Sequence, residues 1–334
     1  MAIKVGINGF GRIGRCVLRA AVEQGRDDIS FVAINDLTDP ENLAYLLRYD
    51  SVHGRFGGEV SVDGDHLVVD GQRIRVTAER DIADLDWSDV DIVMECTGIF
   101  TSREAAAKHL EQGAKRVLIS APGKNADKTI VYGVNHDVLG PDDVVVSNGS
   151  CTTNALAPVA KVLDDAFGIQ TGFMTTVHAY TGDQPTLDRP HRKDWLRGRA
   201  AAMSMVPTST GAAKAISLVL PQLDGKLDGA AIRVPTPNVS VVDLCVTTET
   251  PATAEAVNAA MREAAEGELS GVLQYLTDKN VSIDLNHDPH SSSLVSHETK
   301  AMGENFVRVL SWYDNEWGFS NRMLDVAAAM GRFL

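Results

Sequence analysis

Ile3-Lys4-Val5-Gly6-Ile7-Asn8-Gly9-Phe10-Gly11-Arg12-Ile13-Gly14 places a β-branched run, a Gly-x-Gly-x-x-Gly turn and the start of a helical pattern in immediate succession. The run reads as a strand over residues 3–7 and the following apolar spacing as a helix over residues 12–23. Glycines at 9, 11 and 14 allow a tight turn and close backbone approach to a pyrophosphate, which the N–H groups and positive end of the helix attract. Such a motif also serves as a plain structural turn, so its context carries the weight. Asp36 follows at the end of a second strand-like run, Phe31-Val32-Ala33-Ile34-Asn35, where an acid accepts the ribose hydroxyls of an adenosine. A carboxylate there repels a 2′-phosphate, which favours NAD over NADP.

Outward from this stretch, residues 1–150 alternate strand-like runs (30–35, 91–95, 116–120) with helical patterns, one of them at 102–112. That alternation predicts a parallel sheet covered by helices. Residues 59–76 differ, because Asp63-Gly64 and Asp70-Gly71 separate alternating runs and predict an antiparallel insertion. Beyond residue 150 the pattern becomes mixed. A helix runs to about residue 167, strands are expected at 173–177, 230–234, 239–247 and 306–313, and helices at 211–219 and 252–266. The stretch 180–207 reads as a long functional loop, and residues 320–334 as a closing helix with an apolar stripe.

The 334 residues suffice for two domains, and 44% hydrophobic with 23% charged residues is the balance of an ordinary globular protein. Forty-five acidic against 31 basic residues, a net charge of −14, argue against a nucleic-acid partner. No apolar stretch approaches the roughly 20 residues of a bilayer span, and the N-terminus enters a strand without a leader pattern, so a cytoplasmic, membrane-free protein is expected. Cys16, Cys96, Cys151 and Cys245 are scattered without a Cys-x-x-Cys pair, which leaves neither a disulfide framework nor a metal site.

Three of these cysteines sit in apolar runs and read as packing residues. Cys151 instead lies in Ser147-Asn148-Gly149-Ser150-Cys151-Thr152-Thr153-Asn154, with Ser150 as N-cap and the thiol in the first helical turn. There the helix dipole is expected to lower its pKa below the free value of about 8.5. Pro158 is expected to kink this helix. His178 ends a strand-like run and is a candidate proton acceptor, although pattern alone does not single it out among nine histidines.

Ser150-Cys151-Thr152-Thr153-Asn154 resembles the active-site signature of the glyceraldehyde-3-phosphate dehydrogenase family. So do residues 6–14, Pro207-Thr208-Ser209-Thr210-Gly211-Ala212-Ala213-Lys214, Arg233-Val234-Pro235-Thr236-Pro237-Asn238-Val239-Ser240 and Ser311-Trp312-Tyr313-Asp314-Asn315-Glu316, in order along nearly the whole chain. The resemblance implies an α/β Rossmann-type dinucleotide-binding domain over residues 1–150, joined by the C-terminal helix 318–334, and a second mixed α+β catalytic domain over 151–317. It implies a phosphorylating enzyme in which Cys151 attacks the aldehyde, His178 accepts a proton, and inorganic phosphate cleaves a thioester, a reaction used in glycolysis and gluconeogenesis.

By the same resemblance, Thr181 and Arg233 hold the substrate phosphate of glyceraldehyde 3-phosphate, and Ser150, Thr152, Thr210 and Gly211 hold inorganic phosphate. Residue pattern alone would make Arg233 an ion-pair partner and Thr210 a helix cap. NAD falls to Gly9, Phe10, Gly11, Arg12, Ile13, Gly14, Asn35, Asp36, Arg80, Thr97, Ser120 and Asn315. A homotetramer is implied, with the 180–207 loop at a subunit interface.

Gly149 stands where the family commonly has Ala, and Phe319 where Tyr is usual. Arg189 precedes Pro190 at a ribose-contacting position and keeps NADP open as a minor cofactor. Erythrose-4-phosphate dehydrogenase is the alternative activity, although Tyr180-Thr181-Gly182-Asp183-Gln184 looks more like the triose enzyme. A nucleotide-free thiol hydrolase would have no use for the glycine loop and Asp36. A purely binding role, for instance toward RNA, gains nothing from the acidic balance.

Overall fold

The computed structural model describes residues 2–191 and 194–334, which divide into two compact units: residues 2–150 with 320–334, and residues 151–319. Arg192 and Lys193, inside the expected 180–207 loop, lie outside the described residues.

In the first unit, nine strands lie in the order Lys128–Thr129, Val145–Ser147, Arg116–Ile119, Ile92–Glu95, Ile3–Asn8, Ile29–Asn35, Gln72–Thr77, His66–Val69 and Val60–Asp63. All pairings are parallel except in the hairpins joining the last three. Parallel strands buried on both faces call for near-continuous apolar runs, and Arg116–Ile119 and Ile92–Glu95 are buried throughout. Ile3–Asn8 has Ile29–Asn35 on one side and Ile92–Glu95 on the other. Chain order therefore reverses at its carboxyl end, which is where open α/β sheets bind ligands.

The 59–76 insertion is antiparallel, and its turns use left-handed backbone at Gly64 (φ 61°) and at Asp70 and Gly71 (φ 48° and 81°). The helix expected over 102–112 is instead two short pieces, Arg103–Ala106 and Lys108–Glu111. Ser102 caps the first, and Leu110 N bonds to Ala107 O, so the pairing tightens where His109 turns into the core.

The second unit holds an eight-stranded sheet in the order Val206–Ser209, Leu227–Val234, Ile169–Ala179, Ser240–Thr248, Phe306–Tyr313, Ser292–Val295 and Leu273–Leu276, with Lys300–Met302 also paired to Phe306–Tyr313. The helix Cys151–Phe167 contains Pro158 and packs on this sheet, where Ser292 Oγ donates to Ala155 O at 2.8 Å. The helix expected over 211–219 breaks after one turn: Ala212–Ala215 is α-helical and Ile216–Leu218 is 3₁₀. The stretch expected to be a loop carries a 3₁₀ turn at Trp195–Gly198 and ends in the edge strand Val206–Ser209. The last helix spans Trp317–Gly331.

Candidate active site

Strand register builds the candidate cluster. Along Ile169–Ala179, Met174, Thr176 and His178 are buried while Phe173 is exposed, so the period of two turns His178 inward. Its parallel partner in the neighbouring strand is Arg233, which therefore rises on the same face. Cys151 is the first residue of the helix, and its Sγ lies 3.5 Å from His178 Nε2. The other ring nitrogen, Nδ1, lies 2.7 Å from Ala179 O, an acceptor that holds its proton and leaves Nε2 free to accept from the thiol.

Arg233 Nη1 donates to the same carbonyl at 3.0 Å and comes within 2.9 Å of Nδ1. Burial first, then the Arg233 charge, push the His178 pKa down to about 3. The expected lowering of the Cys151 pKa does not appear. Burial pushes this thiol up, and Arg233, the largest opposing influence, with hydrogen bonds from Thr152 and its own backbone, does not reverse it.

Thr181 Oγ1 lies 3.5 Å from Arg233 Nη1, and the buried Arg233 Nε has no hydrogen-bond partner. A buried guanidinium N–H left open is expensive unless an anion completes it. Thr210 Oγ1 accepts from Ala212 N at 3.2 Å and is half-buried, and Gly211, exposed, precedes the short helix. Thr152 is buried, and its hydroxyl bonds Tyr313 Oη at 2.9 Å. Ser150 is half-buried at the last position before the helix.

Two participants escaped the sequence reading. Tyr313 Oη bridges Thr152 and Thr176, at 2.9 Å from each. Arg197 donates to Thr208 Oγ1 at 2.8 Å and Asp183 at 3.3 Å, and its charge also depresses His178. Arg197 lies in a stretch without periodicity, which hid it; Tyr313 falls within a quoted motif but on a strand that reads as core.

Most residues expected to hold the cofactor lie in the first unit. A cleft of about 310 Å3 is lined by Gly9, Gly11, Asn35, Asp36, Arg80 and Thr97 of the expected set, joined by Asn8, Leu37, Glu79, Cys96, Ile99 and Phe100 among others. A Cβ at Gly9 (φ 93°) would come within 2.7 Å of Thr97 N, and one at Gly14 within 2.4 Å of Gly9 O. These glycines bring helix Arg12–Glu23 tightly onto the first strand and leave the turn open, which suits a pyrophosphate. Asp36 accepts from Phe10 N at 2.8 Å and Thr38 N at 3.1 Å, which fixes its carboxylate at the rim.

Phe10 is buried in the core, Arg12 pairs with Asp50, and Ile13, Gly14 and Ser120 do not line the cleft. Asn315 belongs to the second unit, where it accepts from Ser240 Oγ at 2.8 Å. Cys16 is buried as expected, whereas Cys245 is only partly buried on the sheet, a departure from its packing assignment.

Residues 3–103 match the family model described as glyceraldehyde 3-phosphate dehydrogenase, NAD binding domain, and residues 150–315 match its C-terminal domain. The chain is 64% identical over 334 residues to a glyceraldehyde-3-phosphate dehydrogenase of Cereibacter sphaeroides, covering 100% of both chains. It is 63% identical to that of Xanthobacter flavus and 58% to glyceraldehyde-3-phosphate dehydrogenase 1 of Bacillus subtilis, covering 99% of each pair.

Proposed function

From the premise that the chain belongs to the glyceraldehyde 3-phosphate dehydrogenase family and is an NAD-dependent oxidoreductase, we propose that it converts glyceraldehyde 3-phosphate and inorganic phosphate to 1,3-bisphosphoglycerate through a Cys151 thioester. The observation that carries this reading is the triad of Sγ, Nε2 and guanidinium, with the thiol 3.5 Å from its base and a buried Arg233 N–H still open.

Cys151 Sγ adds to the aldehyde carbon, and its proton passes by way of His178 to the carbonyl oxygen, giving a hemithioacetal. Addition turns a trigonal carbon into one that can release hydride, and bound NAD supplies the acceptor. As hydride leaves, His178 Nε2 takes the hydroxyl proton and the C=O re-forms as a thioester. Arg233 and Thr181 hold the substrate phosphate. Phosphate held by Ser150, Thr210, Gly211 and the Thr152 backbone then attacks the acyl carbon and breaks the S–C bond, and the departing sulfur takes back the proton held on His178 Nε2, restoring the thiol. Arg197, beside Thr208, adds positive charge to this region.

Gly9, Gly11, Asn35, Asp36, Arg80 and Thr97 would hold the dinucleotide, and Asn315 the nicotinamide amide. The exposed apolar side chains Leu187, Trp195, Met203 and Met205 support a homotetramer. No helix among the described residues is long and apolar enough to cross a membrane, and we assign the protein to the cytoplasm.

The test is phosphate-dependent reduction of NAD, and separately of NADP, by glyceraldehyde 3-phosphate and by erythrose 4-phosphate. Reduction of NAD with the triose that requires phosphate and is absent in Cys151→Ser is the expected result. Preference for the tetrose, or turnover independent of phosphate, would overturn it.

A further inference from the structure

Beneath the dinucleotide cleft lies a buried carboxylate that the proposed mechanism does not use. Glu95 ends strand Ile92–Glu95, is 1% exposed, and lies against the ring of His109, itself fully buried. Trp87 Nε1 donates to His109 Nδ1 at 2.9 Å. An indole N–H can only donate, so Nδ1 must accept, the ring proton sits on Nε2, and Nε2 donates to Glu95 Oε2 at 3.0 Å. Asn8 Nδ2 donates to the same oxygen at 2.6 Å. The other oxygen accepts from Thr97 N at 2.8 Å and from the Thr97 hydroxyl.

The arrows continue toward Glu95 from the far wall of the cleft. Asn35 Nδ2 donates to Asn8 Oδ1 at 2.8 Å, and Asn35 Oδ1 accepts from Thr77 Oγ1 at 3.0 Å and Glu79 N at 2.8 Å. Asn8, Asn35, Glu79 and Thr97 all line the cleft, whereas Glu95, His109 and Trp87 do not. Asn35 Nδ2 also donates to Glu79 O at 2.9 Å, and the bonds donated from Asn35 to Asn8 and from Asn8 onward end on a group that only accepts. An unpaired buried charge is costly to a fold, and a packing role alone would be served by an apolar residue of the same size.

We infer that Glu95, oriented by His109, is a positioning residue for the dinucleotide: it fixes both walls of the cleft, Thr97 on one side and the Glu79–Arg80 segment on the other. The inference rests on the dehydrogenase reading and extends it to residues that touch no cofactor. Pre-organised walls lower the ordering cost of binding, so their loss reads out as weaker affinity.

Glu95→Gln tests it with an isosteric change. An amide nitrogen at either oxygen position faces donors, from Thr97 on one side or from Asn8 and His109 on the other. Titration of the intact enzyme with NAD is expected to give a Kd at least about tenfold higher, as a rise in KM for NAD without one in KM for the aldehyde. A folded Glu95→Gln with wild-type NAD affinity would overturn the inference.

Should that variant fail to fold, His109→Gln and His109→Leu decide. Gln offers an acceptor to Trp87 and a donor to Glu95, whereas Leu only fills space. NAD affinity retained in the Gln variant and lost in the Leu variant is the expected pattern; equal affinities in the two would overturn the inference. Wild-type protein that binds no NAD in the same titration would instead sink the dehydrogenase reading and this inference with it.

Discussion

In the proposed reaction, Arg233 is the residue through which substrate recognition and thiol chemistry meet. Its charge favours the Cys151 thiolate and disfavours imidazolium at His178, while burial acts against both charged forms. The sign for Arg233→Leu follows: without the cation the thiol pKa, already raised, moves further up. At a fixed pH the thiolate fraction then falls, about tenfold for every pH unit by which the pKa rises. Iodoacetamide alkylation of Cys151 should therefore slow at neutral pH and its profile move to higher pH, and kcat/KM for the phosphorylated aldehyde should fall roughly 10- to 100-fold for a lost charge-assisted contact. A profile that stays put or moves to lower pH contradicts the role. Arg233 itself was not legible from residue pattern, which would have made it a surface ion pair; only strand register sets it opposite His178. Thr152 shows the reverse error, since its place beside the thiol was plain in the sequence but not its bond to Tyr313, a residue 161 positions away.

At the scale of elements, the first turn is the most constrained joint. Helix Arg12–Glu23 lies against Ile3–Asn8 only because Gly14 has no Cβ, which would stand 2.4 Å from the backbone oxygen of Gly9 and 3.1 Å from Ile7 Cγ2. Backbone cannot yield as a flexible side chain does, so Gly14→Ala should cost about 1–3 kcal/mol, as overpacking commonly does. It should also open the turn and weaken NAD binding. Thermal melting and NAD titration of the variant check this, and a stable variant with unchanged affinity would show that the close approach is dispensable.

This joint was readable because three signals coincide there: strand pattern, glycine spacing and helix onset. The helices expected over 102–112 and 211–219 were not. Local periodicity ran through both, but inward pull on His109 splits the first, and the second changes from α to 3₁₀ pairing after Ala215. Both outcomes depend on packing that a local window does not contain.

For the whole molecule, the decisive fact is that the first unit is made of two chain segments far apart in sequence. Met323, Leu324, Val326 and Met330 of the closing segment are fully buried. The segment is tied to the first 150 residues by Arg26 to Asp325 at 2.9 Å and by Arg116 to Phe333 O at 3.0 Å, and Gly331 sits against Ile3. Burying such side chains stabilises by about 1.5–3 kcal/mol each, so four together rival the roughly 5–15 kcal/mol by which a domain is stable at all. Residues 1–150 expressed alone hold the glycine turn, Asp36 and the whole Glu95 network, yet lack this helix. They are expected to remain largely unfolded and to bind NAD far more weakly than the full chain, by circular dichroism and calorimetric titration. Adding a peptide of residues 317–334 in excess should restore part of both signals, because the helix supplies the missing packing surface and, of the residues assigned to the dinucleotide, only Asn315 is absent. A fragment that folds and binds NAD without the peptide would show that the closing helix merely docks on a unit already complete.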